Sequence, residues 1–145
     1  MKTGTKKEIQ KVLRDFFSDK EQVIFVYLFG SIVDKKVFRD IDVAVYMKDI
    51  PDIISQGKLQ AQLDNLLDKN VDLVLLNRLP TKNPAFAYEI MTKGELLQNK
   101  DQSIHTKYKS RVFSYYFDTA YLREQFEDAF KMRMKTQKFG ERNYG

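Results

Sequence analysis

Two apolar runs, residues 23–29 (VIFVYLF) and 43–47 (VAVYM), stand out from the hydrophobic pattern, and the polar stretch between them carries most of the unusual chemistry. The first run ends in Gly30-Ser31. The second is preceded by Asp40-Ile41-Asp42. The pattern predicts a buried strand over 23–29, a tight turn at the glycine, a loop or single helical turn over 32–39, and a strand over 40–47. Before them, Ile9, Val12, Leu13, Phe16 and Phe17 recur in steps of three and four, which predicts an amphipathic helix over 5–17. Thr5 followed three residues later by Glu8 has the form of a capping box.

After Pro51 the helical pattern returns over 55–69 with Leu59, Leu63, Leu66 and Leu67, and Asn70 is read as its stop. Residues 71–76 (VDLVLL) predict a third strand, apolar on both faces as an interior strand would be. Residues 77–83 read as a loop. Asn83-Pro84 looks like a cap with a first-turn proline, opening a short helix that stops at Gly94. Leu96-Leu97 fits a short edge strand. From about 101 to 135 there is neither Gly nor Pro, and Ile104, Tyr108, Val112, Tyr115, Thr119, Leu122, Phe126 and Phe130 keep helical spacing. That helix would be roughly 50 Å long if unbroken, unusually long for so small a domain, which leaves room for a bend or a loop near 102–109. Strands alternating with helices give an α/β class, with one long helical element added at the end.

The chain of 145 residues is sized for a single domain, with a core over about 5–100, a helical segment over about 101–137 and a basic tail over 138–145. It has no cysteine, which excludes disulfides and thiolate metal sites. No apolar run approaches a membrane span and the charged N-terminus lacks a secretory pattern, so cytoplasm is the default location. The net charge of +5 owes much to Lys and Arg residues crowded into the last forty positions. No nucleic-acid-reading motif accompanies them, and a solvated helix end is the simpler account. The sole histidine, His105, has no second imidazole or thiolate for a zinc site and is read as exposed or capping.

Asp40, Asp42 and Asp72 are the residues that do not fit a plain core. Side chains alternate along a strand, so Asp40 and Asp42 share a face, roughly 6.5–7 Å apart at Cα. Like charges on an apolar strand need a counter-charge, and oxygen ligands of this kind suit Mg²⁺ completed by substrate phosphates. Gly30 permits close backbone approach, and the Ser31 hydroxyl with nearby amides can donate to a phosphate, helped by a helical turn starting there. Lys35, Lys36 and Arg39 in the connecting segment are candidates to meet a triphosphate.

LFGS, DIDVAV and VDLVLLN in this order resemble the signature of the nucleotidyltransferase superfamily with the DNA polymerase β-like palm, over roughly residues 20–100. The small size resembles the minimal nucleotidyltransferases. NRLPTKNPAFAYEIMTKGELL and the tyrosine-rich helix after it resemble the MNT antitoxins paired with HEPN toxins. The resemblance implies a small mixed sheet flanked by helices. It also implies AMP transfer from ATP, with Mg²⁺ (two ions), to a tyrosine hydroxyl of a partner HEPN ribonuclease, docked through the C-terminal helix. Gly30 and Ser31 match the phosphate-contacting pair, Asp40 and Asp42 the metal-binding carboxylates, and Asp72 the third, a base for the incoming hydroxyl. The segment between Ser31 and Asp40 is shorter than the family usually shows and lacks its customary glycine. Two rival readings are a nucleotidyltransferase acting on a small molecule or RNA end, and a catalytically quiet antitoxin that works by binding alone.

Overall fold

The computed structural model describes residues 4–144, with side chains for 4–134. The first apolar run forms β1 (Val23–Phe29) and the second, with its two aspartates, β2 (Asp40–Met47). They pair antiparallel, with Phe29 opposite Asp42. The link between them is one helical turn, α2 (Ser31–Asp34), and an extended stretch. The helix before them, α1 (Lys6–Ser18), starts with the expected capping box: Glu8 N donates to Thr5 Oγ1 and Thr5 N to Glu8 Oε1, both at 3.2 Å.

Two boundaries differ from the sequence expectation. The next helix, α3 (Ile53–Leu66), begins earlier because Asp52 caps it, accepting from Ser55 N at 2.7 Å. It ends before Asn70, because Leu67 turns extended and buries its side chain in the core. Asn70 instead opens β3 (Asn70–Leu75), opposite Asp40.

The sheet order is β3-β2-β1-β4, where β4 (Glu95–Asn99) is the expected edge strand; β2 and β3 run parallel and the other pairs antiparallel. The sheet is therefore mixed, and β3 lies at its other edge rather than in the interior. Its apolar faces reflect cover from helices, not neighbours on both sides. Val71, Leu73 and Leu75 pack into one core with α1 and α3. Val74 and Leu76 face a second core, built with α4 (Leu79–Lys82), α5 (Pro84–Lys93) and the start of α6 (Gln102–Tyr144). The short α4 occupies part of the stretch expected to be loop. Asn77 just before it extends the sheet by side chain, accepting from Met47 N at 3.0 Å and donating to Met47 O at 2.7 Å. Asn83 caps α5 as expected, accepting from Phe86 N at 3.1 Å.

α6 is a single helix of 43 residues with no break over 102–109, where the sequence left room for a bend or a loop, roughly 65 Å long. Asp101 holds its first turn, accepting from Ile104 N at 3.1 Å. Tyr108 and Val112 are buried against the sheet, and Tyr108 donates to the Leu76 carbonyl at 2.6 Å. Further along the same stripe the helix runs past the edge of the domain, leaving Leu122 54%, Phe126 74% and Phe130 59% exposed. Phe113, Phe117 and Tyr121 recur in steps of four along a second face of α6, and that face is only partly covered. Tyr88 of α5 stacks on Tyr116 at 3.8 Å and meets Phe113 at 5.5 Å, while Tyr121 stays exposed. Side chains of the expected basic tail, 138–145, lie outside the described residues. Among the described residues no helix is long and apolar enough to cross a membrane.

His105 is not exposed; only 6% of its surface is accessible. It lies three residues before Tyr108 and seven before Val112, hence on the buried stripe of α6. Burial pushes the Tyr27 phenol up to about 12, and its hydroxyl shares a hydrogen bond with His105 Nε2, 2.7 Å away. Burial, and then the charge of Lys109, hold the imidazole below its ordinary value. The unfolded chain therefore binds a proton at His105 before the folded chain does, and stability falls as pH drops through the ordinary histidine range. Denaturant titrations at pH 7.5 and 5.5 are expected to show this loss, and His105→Gln to remove that part of it.

Candidate active site

Asp40 and Asp42 alternate with Ile41 and Val43, whose side chains are committed to the α1/α3 core. The aspartates therefore share the opposite face with Ala44 and Tyr46, at the end of the sheet that α5 overhangs. Asp72 stands directly opposite Asp42 in the parallel β2–β3 register. Gly30 follows Phe29, Asp42's partner in β1. Three neighbouring strands thus deliver Gly30, Asp42 and Asp72 side by side. Asp40 sits one step outward, opposite Asn70, and is exposed.

The electrostatics are those of crowded like charges. Asp42 is half-buried, and its carboxyl is held above the usual range. Burial is the largest cause, followed by the charge of Asp72, a hydrogen bond shared with Asp72 and the charge of Asp40. A cation placed between these oxygens would relieve each of these charge repulsions. Among the described residues no three His, Cys, Asp or Glu side chains are gathered into one coordination sphere. The touching pair Asp42 and Asp72 fits Mg²⁺ nonetheless, because that ion is commonly held by one or two carboxylates, with waters and substrate phosphates completing the shell.

Gly30 is required where it stands. Its φ is +78°, a conformation that side chains rarely adopt, and a Cβ there would collide with Asp42 Oδ2. The bare backbone of Gly30 therefore makes room for the Asp42 carboxylate. The turn after it, α2, has only four residues. It offers amides and the Ser31 hydroxyl but no sustained helix dipole, so the dipole part of the sequence expectation is small.

A pocket of about 200 Å³ opens beside Gly30 and Asp42, walled by Phe29, Val33, Asp34 and, from α5, Glu89 and Lys93. Lys35 and Lys36 do not line it. They border a separate groove shared with Gly4, Thr5 and Lys6 near the start of α1. Phe38 explains this placement: it is buried in the α1/α3 core, with Lys69 over its ring and donating to its carbonyl at 3.3 Å. Arg39 is exposed just before β2.

The basic side chain at the pocket is Lys93, which the sequence reading passed over. Its neighbour Gly94 was the available signal. A Cβ on Gly94 would press on the carbonyls of Ile90 and Leu28, so glycine lets the end of α5 seat against β1 and brings Lys93 beside Gly30.

Residues 11–103 match the family described as "Polymerase beta, Nucleotidyltransferase". No curated protein matches the chain significantly. Among solved structures it is similar to a chain of a toxin–antitoxin crystallised with AMP-PNP, at 28% identity and a TM-score of 0.67, covering 87% of this chain and 98% of that one. It is similar to a chain of the toxin–antitoxin MntA-HepT at 27% identity and a TM-score of 0.63, covering 87% and 96%. A third similar chain comes from a tri-AMPylated Shewanella oneidensis HEPN toxin in complex with MNT antitoxin, at 28% identity and a TM-score of 0.63, covering 87% and 95%.

Proposed function

The chain belongs to the polymerase β-type nucleotidyltransferase family, and from that premise we propose that it is an antitoxin that silences a partner HEPN ribonuclease by transferring AMP from ATP to a tyrosine hydroxyl. One observation carries this reading. Along 87% of its length the chain resembles a chain from a complex whose toxin is tri-AMPylated, and it keeps Gly30, Asp42 and Asp72 in direct juxtaposition.

In this reading the Gly30 and Ser31 amides and the Ser31 hydroxyl receive phosphate oxygens, which the bare backbone at Gly30 lets approach closely. Asp42 and Asp72 would hold Mg²⁺, with Asp40 one step outward on the same strand face as a further ligand. When bound, two such ions would supply activation of the attacking oxygen and stabilisation of the leaving pyrophosphate. The tyrosine oxygen bonds to the α-phosphorus, the bond to the β-phosphate bridging oxygen breaks, and pyrophosphate leaves. Asp72, the most exposed member of the touching pair, takes the hydroxyl proton. The apolar stripe of α6 that overhangs the domain, Leu122, Phe126 and Phe130, meets the toxin.

In this reading Lys93, which lines the pocket beside Gly30, binds the phosphates in preference to Lys35 and Lys36, which border a separate groove. Lys93→Ala is expected to raise KM for ATP about tenfold with kcat within about threefold, the signature of lost ground-state binding. Lys35→Ala and Lys36→Ala are expected to change it less than twofold; steady-state kinetics over an ATP series separates the cases.

Co-expression tests the cellular role. Asp40→Asn with Asp42→Asn is expected to abolish neutralisation of the toxin while leaving the complex intact on purification. Retained neutralisation would replace this reading with inhibition by binding alone.

A further inference from the structure

We propose that Gln60 is a positioning residue for Asp72, holding it against Asp42 by clamping the backbone on either side of it. The inference rests on the nucleotidyltransferase reading. Because β3 is an edge strand, the outer side of its backbone has no neighbouring strand among the described residues, and such an edge needs other partners or it frays. In a strand the N–H and C=O of one residue point the same way and those of the next point oppositely. Val71 and Leu73 turn theirs outward, and Asp72 turns its own toward β2.

Gln60 of α3 occupies the place of the missing strand. Its Oε1 accepts from Leu73 N at 3.2 Å, and its Nε2 donates to the Val71 carbonyl. The second Nε2 hydrogen goes to Asp64 Oδ1 at 3.1 Å, which also accepts from Val71 N at 3.4 Å. A carboxylate only accepts, so Asp64 fixes which end of the Gln60 amide meets which backbone group. Every donor of the amide is used.

The clamp is centred on residue 72 and is made from the α3 face of the sheet. The Asp72 side chain leaves from the opposite face, beside Asp42. Gln60 therefore fixes the carboxylate without touching it. A carboxylate on an unsupported edge would sample positions an ångström or more away, enough to cost a large part of the rate.

The test compares the full chain with Gln60→Ala and Gln60→Met at a temperature where circular dichroism shows all three folded. Amide exchange at Val71 and Leu73 is expected to accelerate about tenfold or more in both variants. In both, kcat for AMP transfer is expected to fall about tenfold with KM for ATP within about twofold. Methionine keeps the length and packing of Gln60 but not its amide. A wild-type kcat in Gln60→Met, an unchanged kcat in both variants, or unchanged exchange overturns the proposal. If the unmodified chain transfers no AMP, the functional reading fails by itself, and the exchange rates alone decide whether Gln60 holds this segment.

Discussion

Asp42→Asn is expected to lower kcat for AMP transfer by about a thousandfold or more, a loss of about 4 kcal/mol of transition-state stabilisation at 1.36 kcal/mol per tenfold. The amide copies the shape of the carboxylate but carries no charge for Mg²⁺. Asp42 is the member of the set that faces both Gly30 and Asp72, so its replacement disturbs the phosphate and metal sides together. Stability is expected to move the other way. The folded-state value of Asp42 is raised, so its contribution to stability is fully present below the unfolded value and is lost as pH rises through the folded one. At pH 7 the ionised carboxylate therefore strains the fold, and Asp42→Asn is expected to melt at the same temperature or higher. That advantage should shrink as pH falls into the carboxylate range. An inactive but stabilised variant is the mark of a residue kept for chemistry. A variant that loses activity and stability together would assign Asp42 a structural role.

Gly30→Ala is expected to be nearly as damaging, for a different reason. The positive φ alone costs a side chain roughly 1–3 kcal/mol, and the added Cβ drives into Asp42 Oδ2. Relief requires moving either the turn that carries Ser31 or the carboxylate. Transfer is expected to fall about a hundredfold or more, by analogy with small displacements at other reacting centres, and the melting temperature is expected to drop. Gly57→Ala is the matched control. Gly57 lies within α3 with open space where a Cβ would stand, so alanine there is expected to stabilise by roughly 0.5–1 kcal/mol and leave transfer unchanged.

Much of the site's frame was legible because it rests on local rules. The period of two in a strand put Asp40 and Asp42 on one face, and the apolar run before Gly30 marked β1 to the residue. The place of Asp72 needed a longer-range fact, the parallel register of β2 and β3; the resemblance matched Asp72 to a third carboxylate, but neither it nor periodicity supplied that register. Sequence could not place β3 at the edge, because helices on both faces make an edge strand as apolar as a central one. It missed the end of α3 because Leu67, apolar and in phase with the helix, buries itself from an extended backbone instead.

His105 and Lys93 were misjudged or overlooked because a polar residue was read by its type and not by its position. The stripe through Tyr108 and Val112 already included position 105, so its burial was available from spacing alone. Lys93 depended on how closely α5 approaches β1, which follows from Gly94 and the strand carbonyls it packs on. Lys35 and Lys36 looked well placed along the chain, but Phe38 anchors their segment toward α1. Gln60 is the least legible, since its partners are backbone groups whose exposure depends on strand order.

The central claim is that this chain moves AMP onto its partner. Incubation of the chain with the HEPN partner, Mg²⁺ and ATP labelled at the α-phosphate is expected to place label on a tyrosine of the partner and release pyrophosphate, with no label transferred by Asp42→Asn. A partner that is neutralised while remaining unlabelled by any of the four nucleotides would contradict it.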